Sequence, residues 1–377
     1  MRLRPIPMLL FLFSTSTLAD AHVYAAHRKV FKNTLHQAPA ARTPAPKPPD
    51  GVLELVHYPA PLGQNAAYVT PVQKGPKRPA IVWLHGGFDW SIGELAWAKA
   101  DRENDQSGRA FREAGMVELL PSYRGCNDNP GEHEFFLGEV DDVLAAIDFV
   151  KKRPDVDPER VYLGGHSTGG TLALLAAASG APVRGVFALG PAAWIKFYRG
   201  TGTALDNASQ DDRAIRSPAM SVSEITAPTF VIEGEDGLTR SFAPLQESKE
   251  KAPLTFIEAR GHSHFSIIAP ATELIAKRLM AEAGGGAAFT LTQADLSREP
   301  KQTPLDDCML GALRKRKTPA DDCLADCFQH GKGKHLGGGC YHVCFAYQAD
   351  RSIGDWVEPP EWKECSAKFG PGAEEYR

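Results

Sequence analysis

Between residues 79 and 283 short apolar runs alternate with helix-like stretches, and this alternation limits the fold more than any other feature of the chain. Ile81-Val82-Trp83-Leu84, Met116 to Leu120, Val161-Tyr162-Leu163, Val183 to Leu189, Thr229 to Glu233 and Leu254 to Ile257 have the length and apolar character of strands buried on both faces. Val140, Val143, Leu144, Ile147 and Val150 recur at three-four spacing, which predicts an amphipathic helix over 139–151. An Ala/Leu-rich helix is expected from Thr171 to Ala178, stopped by Gly180, and a closing helix over 272–283. Strand and helix taken in turn predict an α/β fold, a doubly wound and mainly parallel sheet. Functional residues then belong at the C-terminal ends of strands.

The flanks read differently. Met1-Arg2-Leu3-Arg4, the apolar run from Ile6 to Leu18 and Leu18-Ala19-Asp20-Ala21 have the three parts of a signal peptide, with cleavage expected after Ala21 and export to a periplasm or the medium. Ser14 to Thr17 interrupt that run, so no transmembrane segment is expected after signal cleavage. Residues 22–50 form a Pro-rich arm or linker whose composition cannot bury a core of its own. Residues 51–286 then make the sheet domain, 287–305 a polar linker and 306–377 a Cys-rich module. A net charge of −4 with both signs dispersed offers no basic face for nucleic acid. Arg314-Lys315-Arg316-Lys317, the one dense basic run, reads as a solvated linker.

Gly165-His166-Ser167-Thr168-Gly169 follows a predicted strand and opens a predicted helix. A sharp strand-to-helix turn needs glycines where backbones approach, and it projects the serine from the sheet edge. A serine hydroxyl is a weak nucleophile near neutral pH, so a base must reach it and an acid must orient that base. Gly261-His262-Ser263-His264-Phe265 lies after the last predicted strand and supplies two candidates; His264 leads, because a few loop residues are needed to bring the imidazole back over the serine. For the acid, Glu233-Gly234-Glu235-Asp236-Gly237 ends a buried-type strand. Asp236, furthest into the loop, ranks ahead of Glu235 and then Glu233. Oxyanion donors are expected from the Thr168 N–H and, in His85-Gly86-Gly87-Phe88, from Gly87 or Phe88. His85 itself reads equally well as a packed histidine fixing that loop.

With these motifs in hand, the stretch from Ile81 to Ala276 resembles the α/β-hydrolase superfamily, in its prolyl oligopeptidase (peptidase S9) and dienelactone hydrolase-like branch. His85-Gly86-Gly87, Tyr123-Arg124-Gly125, Gly138-Glu139-Val140-Asp141-Asp142, Gly165 to Gly170, Ser217-Pro218 and Gly261-x-x-His264-Phe265 occur in family order. The resemblance implies acyl-transfer chemistry at Ser167 and His264, with no metal or organic cofactor. Its substrates would be a small-molecule ester first and a short peptide second. Two departures stand out. The family's usual acid position, three residues after a strand-end glycine, is Gly237 here. Residues 22–80 also cannot supply the N-terminal propeller that its peptidase members carry. A non-catalytic binding protein on the same scaffold is the rival from another class.

Six cysteines, Cys308, Cys323, Cys327, Cys340, Cys344 and Cys365, crowd the C-terminus, whereas Cys126 stands alone near the expected site and reads as an idle small side chain. An even number in an exported segment reads as a disulfide framework, here a small helical module. His330, His335 and His342 make zinc the competing reading. Such a module could contact a cell-surface partner, cap the site or stabilise the terminus. Cysteines one turn apart on a helix face bridge each other poorly, so Cys323 and Cys327 are expected to bond across to Cys340 and Cys344. Non-reducing peptide mapping of the exported protein should find three disulfides; six alkylatable thiols or stoichiometric zinc would exclude them.

Overall fold

The computed structural model describes residues 23–39, 41–282 and 289–297, together with Cys308, Glu364, Ala367 and Lys368. Eight strands form one sheet: β1 (Glu54–Ala60), β2 (Gly63–Val69), β3 (Arg78–Leu84), β4 (Val117–Pro121), β5 (Val156–His166), β6 (Gly185–Leu189), β7 (Thr229–Gly234) and β8 (Leu254–Ala259). Their order is β1-β2-β4-β3-β5-β6-β7-β8. β2 runs antiparallel to both its neighbours, and every pairing from β4 across to β8 is parallel. The chain reverses its direction of travel between β3 and β5, and the loops leaving those two strands therefore flank a crevice at the sheet's C-terminal edge.

Among the residues described continuously, eight helices accompany the sheet: α1 (Val23–Val30), α2 (Arg109–Glu113), α3 (Gly138–Lys151), α4 (Thr168–Ala178), α5 (Gln210–Ile215), α6 (Phe242–Ser248), α7 (Ile268–Ala281) and α8 (Gln293–Leu296). The period-two geometry of β3 divides its side chains cleanly. Ala80, Val82 and Leu84 join the core formed with α3 and α4, and Ile81 and Trp83 join the opposite core with α2 and α7. Both faces are covered, as the unbroken apolar strands require.

Two flanking segments do more than composition suggests. The Pro-rich arm stays largely irregular beyond α1, yet Tyr24, Arg28, Leu35 and Ala45 are buried against the domain. It is held by polar contacts that its own composition does not reveal: Tyr24 Oη donates to the Ile215 carbonyl (2.9 Å), and Thr34 donates to Asp212 (2.7 Å). Residues 289–297, expected to be polar connection, carry Phe289 against the Phe187 and Phe230 rings and bury Leu291 and Leu296. Of the expected C-terminal module, Cys308 is described and is disulfide-bonded. Cys323, Cys327, Cys340, Cys344 and Cys365, and with them the module's fold and pairing, lie outside the described residues, as does the expected signal peptide.

The loop before α3 shows what the recurring acidic and basic residues accomplish. Arg124 grips Asp142 through Nε (2.9 Å) and Nη2 (3.0 Å) and reaches Glu134 at 2.7 Å. Its guanidinium lies where a Cβ on Gly138 would stand, so a side chain there would push Arg124 out of this grip. Phe135 and Phe136 both adopt left-handed backbone, at φ 50° and 71°. Glu139 secures that strained turn, since its Oε1 accepts the N–H groups of Glu134 (2.7 Å) and Phe135 (3.1 Å). Burial pushes the Glu139 carboxyl up to about 7, from an ordinary value of 4.5. A carboxyl whose folded pKa is raised stabilises the fold below its unfolded pKa, and that contribution is lost as pH climbs from 4.5 through about 7. Glu139→Gln should flatten this part of the stability curve by something on the order of 3 kcal/mol, read as the difference between wild-type and variant urea midpoints across that pH range.

Candidate active site

Ser167 links β5 to α4 with φ 55° and ψ −114°, a backbone that a non-glycine residue holds only under constraint. The constraint is the close approach of α4 to the sheet. A Cβ on Gly165 would meet the Gly169 backbone at 2.6 Å and the Leu84 carbonyl at 2.8 Å, and a Cβ on Gly169 would also run into Leu84. The turn is locked by the Ser167 N–H donating to Leu189 (2.7 Å) and by the Thr171 N–H donating to the Ser167 carbonyl (2.9 Å).

Thr168 is the first residue of α4, where a backbone N–H has no acceptor within the helix. Its side chain ties the turn to the loop after β3: Oγ1 donates to the Gly87 carbonyl (2.5 Å) and accepts from Trp90 Nε1 (3.2 Å). Gly87, at φ 91°, remains exposed. The expected oxyanion donors, Thr168 with Gly87 and Phe88, thus lie on two segments fastened to each other. His85 is buried and its Nδ1 faces the Gly86 carbonyl at 2.9 Å; burial lowers its pKa, which suits a neutral histidine packed within the loop.

The histidine loop meets the same turn. The His264 and His166 rings lie tilted against each other, their centroids 4.5 Å apart, and His166 Nε2 lies 2.8 Å from the His264 carbonyl. With the proton on Nε2, His166 donates to that carbonyl and accepts at Nδ1 from Gln106 Nε2 (2.9 Å). Burial and the neighbouring His264 push the His166 pKa well below the ordinary value, consistent with a neutral ring. Gln106 Oε1 in turn accepts the Gly86 N–H (3.1 Å), so one side-chain chain connects the His264 loop to the loop after β3. His262, the alternative base, is buried and faces Ser266 Oγ at 3.5 Å.

The carboxylate beside His264 differs from the expected one. The carboxylate on His264 Nδ1 belongs to Glu233, at 2.9 Å, and not to Asp236. Glu233 is the penultimate residue of β7 and fully buried; its Oε1 accepts the Gly234 N–H (2.8 Å) and its Oε2 the Leu238 N–H (2.7 Å). A glutamate reaching from the strand end fills the space of a carboxylate hung from the following loop. The departure at Gly237 now has a cause, because a Cβ there would collide with the Glu233 carboxyl group. Asp236 instead sits in the turn with its N–H on the His262 carbonyl (3.2 Å), and Glu235 accepts the Gly261 N–H (3.3 Å). Gly190 makes room on the other side, where a Cβ would come within 2.7 Å of His264 Nδ1 and 3.0 Å of Glu233 Oε2.

Three further residues at the site were not singled out by sequence. His166 and Gln106 form the relay just described. Tyr198 enters from the segment after β6, with its hydroxyl 2.8 Å from Thr171 Oγ1 and in hydrogen-bonding relation to the Ser167 side chain, and its ring packed on Phe88 and Phe136. Only the middle position of the glycine-serine motif carried any signal for His166. Among the described residues no group of three or more His, Cys, Asp or Glu could hold a metal ion, and no helix is long and apolar enough to cross a membrane.

Residues 67–185 match the family described as BD-FAE. An "uncharacterized peptidase YtmA" of Bacillus subtilis (strain 168) is 30% identical over 67 residues, which are 18% of this chain and 26% of that protein. The chain thus matches about a quarter of the length of that curated relative. Among solved structures, a hyperthermophilic esterase from the archaeon Pyrobaculum calidifontis aligns at 21% identity and TM-score 0.47, covering 62% of this chain and 84% of that one. A puromycin hydrolase aligns at 15% identity and TM-score 0.49, over 64% of this chain and 41% of the other. The family match spans the stretch that holds both the serine turn and the loop after β3.

Proposed function

We propose that the chain is an exported serine hydrolase cleaving carboxylic esters through an acyl-Ser167 intermediate. The observation that carries this reading is the 2.9 Å contact between the buried Glu233 carboxylate and His264 Nδ1, made beside a strained serine at the turn into α4. In this reading His264 Nε2 takes the Ser167 hydroxyl proton as Oγ bonds to the substrate carbonyl carbon, and Glu233 holds the ring and stabilises the imidazolium without taking its proton. The Thr168 N–H and a Gly87 or Phe88 N–H stabilise the oxyanion. Collapse breaks the bond to the leaving alcohol, which takes the proton from His264; water, deprotonated by the same ring, then releases the acid.

An amide leaving group needs the same steps, and the name of the curated relative favours a peptidase as the second reading. Export rests on the pattern of residues 1–21, and a cell-surface contact through the cysteine-rich tail belongs to the same proposal.

A fluorophosphonate probe should label Ser167 alone, and labelling that persists in Ser167→Ala would remove the assignment. On a short-chain ester, His264→Ala and Glu233→Gln should each lower kcat by roughly 10²–10⁴-fold, whereas His262→Ala and Asp236→Asn should cost less than about tenfold. A larger loss in Asp236→Asn than in Glu233→Gln would return the acid to the loop. Efficient turnover of peptide amides with little ester cleavage would favour the peptidase.

A further inference from the structure

The arm and the oxyanion loop enclose a cavity of about 560 Å3. Pro39 and Pro44 wall it from the arm, Phe88 and Asp89 from the loop after β3, and His133 and Phe135 from the segment before α3. It therefore reaches the loop expected to supply an oxyanion donor. The arm is pinned on either side of this wall. Gln37 and His133 exchange backbone hydrogen bonds, both 3.0 Å, and the Gln37 side chain accepts the Ala204 N–H at 3.2 Å. Arg42 donates to the carbonyls of Asn129 (2.6 Å) and Gly131 (2.8 Å).

The charge inside this cavity is one-sided. Asp89 is its single acidic residue, and no lysine or arginine lines it. One Asp89 oxygen accepts the Ser91 N–H (3.1 Å), and among the described residues its carboxylate forms no ion pair. Burial lowers the His133 pKa and so favours its neutral form. The nearby Arg42 guanidinium is engaged by two carbonyls. The aromatic side chains of Phe88, His133 and Phe135 complete the lining, and the Phe88 ring lies at right angles to that of Tyr198, 5.3 Å away. A carboxylate beside aromatic rings, with no competing cation, attracts a positive group by charge and by the ring quadrupole together.

We propose that this cavity is a substrate subsite for an ammonium or quaternary ammonium group, with Asp89 as counter-ion and Phe88 as the aromatic face. The inference rests on the hydrolase reading only for its site of cleavage; the cation site is a separate claim. Because Asp89 is exposed, its preference is modest: an exposed ion pair and an exposed cation–π contact together correspond to roughly five- to tenfold.

Acetylthiocholine and 3,3-dimethylbutyl thioacetate have the same shape and differ in charge, so the ratio of their kcat/KM values on the full chain isolates the effect. The expected ratio is roughly five to ten in favour of the cation, through KM, falling to roughly two in Asp89→Asn, where the Phe88 contact remains. A wild-type ratio near one, or a preference unchanged in Asp89→Asn, would overturn the proposal. If neither ester is turned over, calorimetric titration of phenyltrimethylammonium into the Ser167→Ala protein decides. Binding weakened about fivefold by adding Asp89→Asn supports the site, and absent binding removes it. Fluorophosphonate labelling of wild type reports separately on the serine, so the two readings fail independently.

Discussion

The close approach of α4 to the ends of β3 and β5 governs the rest. Glycines at 165 and 169 let backbone lie where side chains would otherwise stand. Only at that separation can Thr168 reach the Gly87 carbonyl and His166 reach the His264 carbonyl. Each contact fastens one functional loop to the serine turn. The sheet supplies the platform, but the distance between helix and strand sets the geometry of the whole site. An alanine at either glycine would displace the oxyanion loop and the histidine loop at once, since both are referenced to the same turn.

How much of this was legible depended on how local each signal was. The strands and helices between residues 79 and 283 came from periodicity, because strands buried on both faces and helices buried on one leave distinct apolar patterns. Ser167 and the glycine-rich loop were legible because backbone constraints select glycine visibly. The acid was not. Glu233, Glu235 and Asp236 differ in reach and direction rather than in charge, and only packing shows that the buried strand-end glutamate approaches His264 while Gly237 stands aside. Gly237 was itself a signal, as an absent side chain where a carboxylate was expected, but it becomes readable only once the longer side chain is considered. The arm was illegible for another reason. Its proline-rich composition reports that it cannot build a core, not that it can lean on one already built.

What holds that arm is a chain of buried polar groups, not a hydrophobic seam alone. Arg216, fully buried, bonds Asp212 at 2.9 Å and the Asn33 side chain at 2.5 Å, and its Nε donates to the Glu134 carbonyl at 3.1 Å. Asn33 continues to the Glu134 carboxylate at 3.0 Å, and Glu134 to Arg124. Buried ions are costly unless each finds a partner, and this network partners them across three segments that are distant in sequence. It also explains why the segment after β6, which by composition resembles a polar flap, is anchored: its Asp212 and Arg216 are consumed by the arm and by the loop before α3.

The contact between the Tyr24 N–H and Glu224, at 2.8 Å, joins residues 200 positions apart. A ribosome makes Tyr24 long before Glu224 exists, so α1 must wait for the strands up to β6 and the segment beyond them before it can complete its docking. Loop closure over that span must precede any reward from the contact. During that interval Tyr24 lacks its partners Ile215 and Glu224. Arm docking is therefore a late event in maturation, and the three-sided cavity beside the oxyanion loop comes into being only when synthesis has passed the middle of the chain.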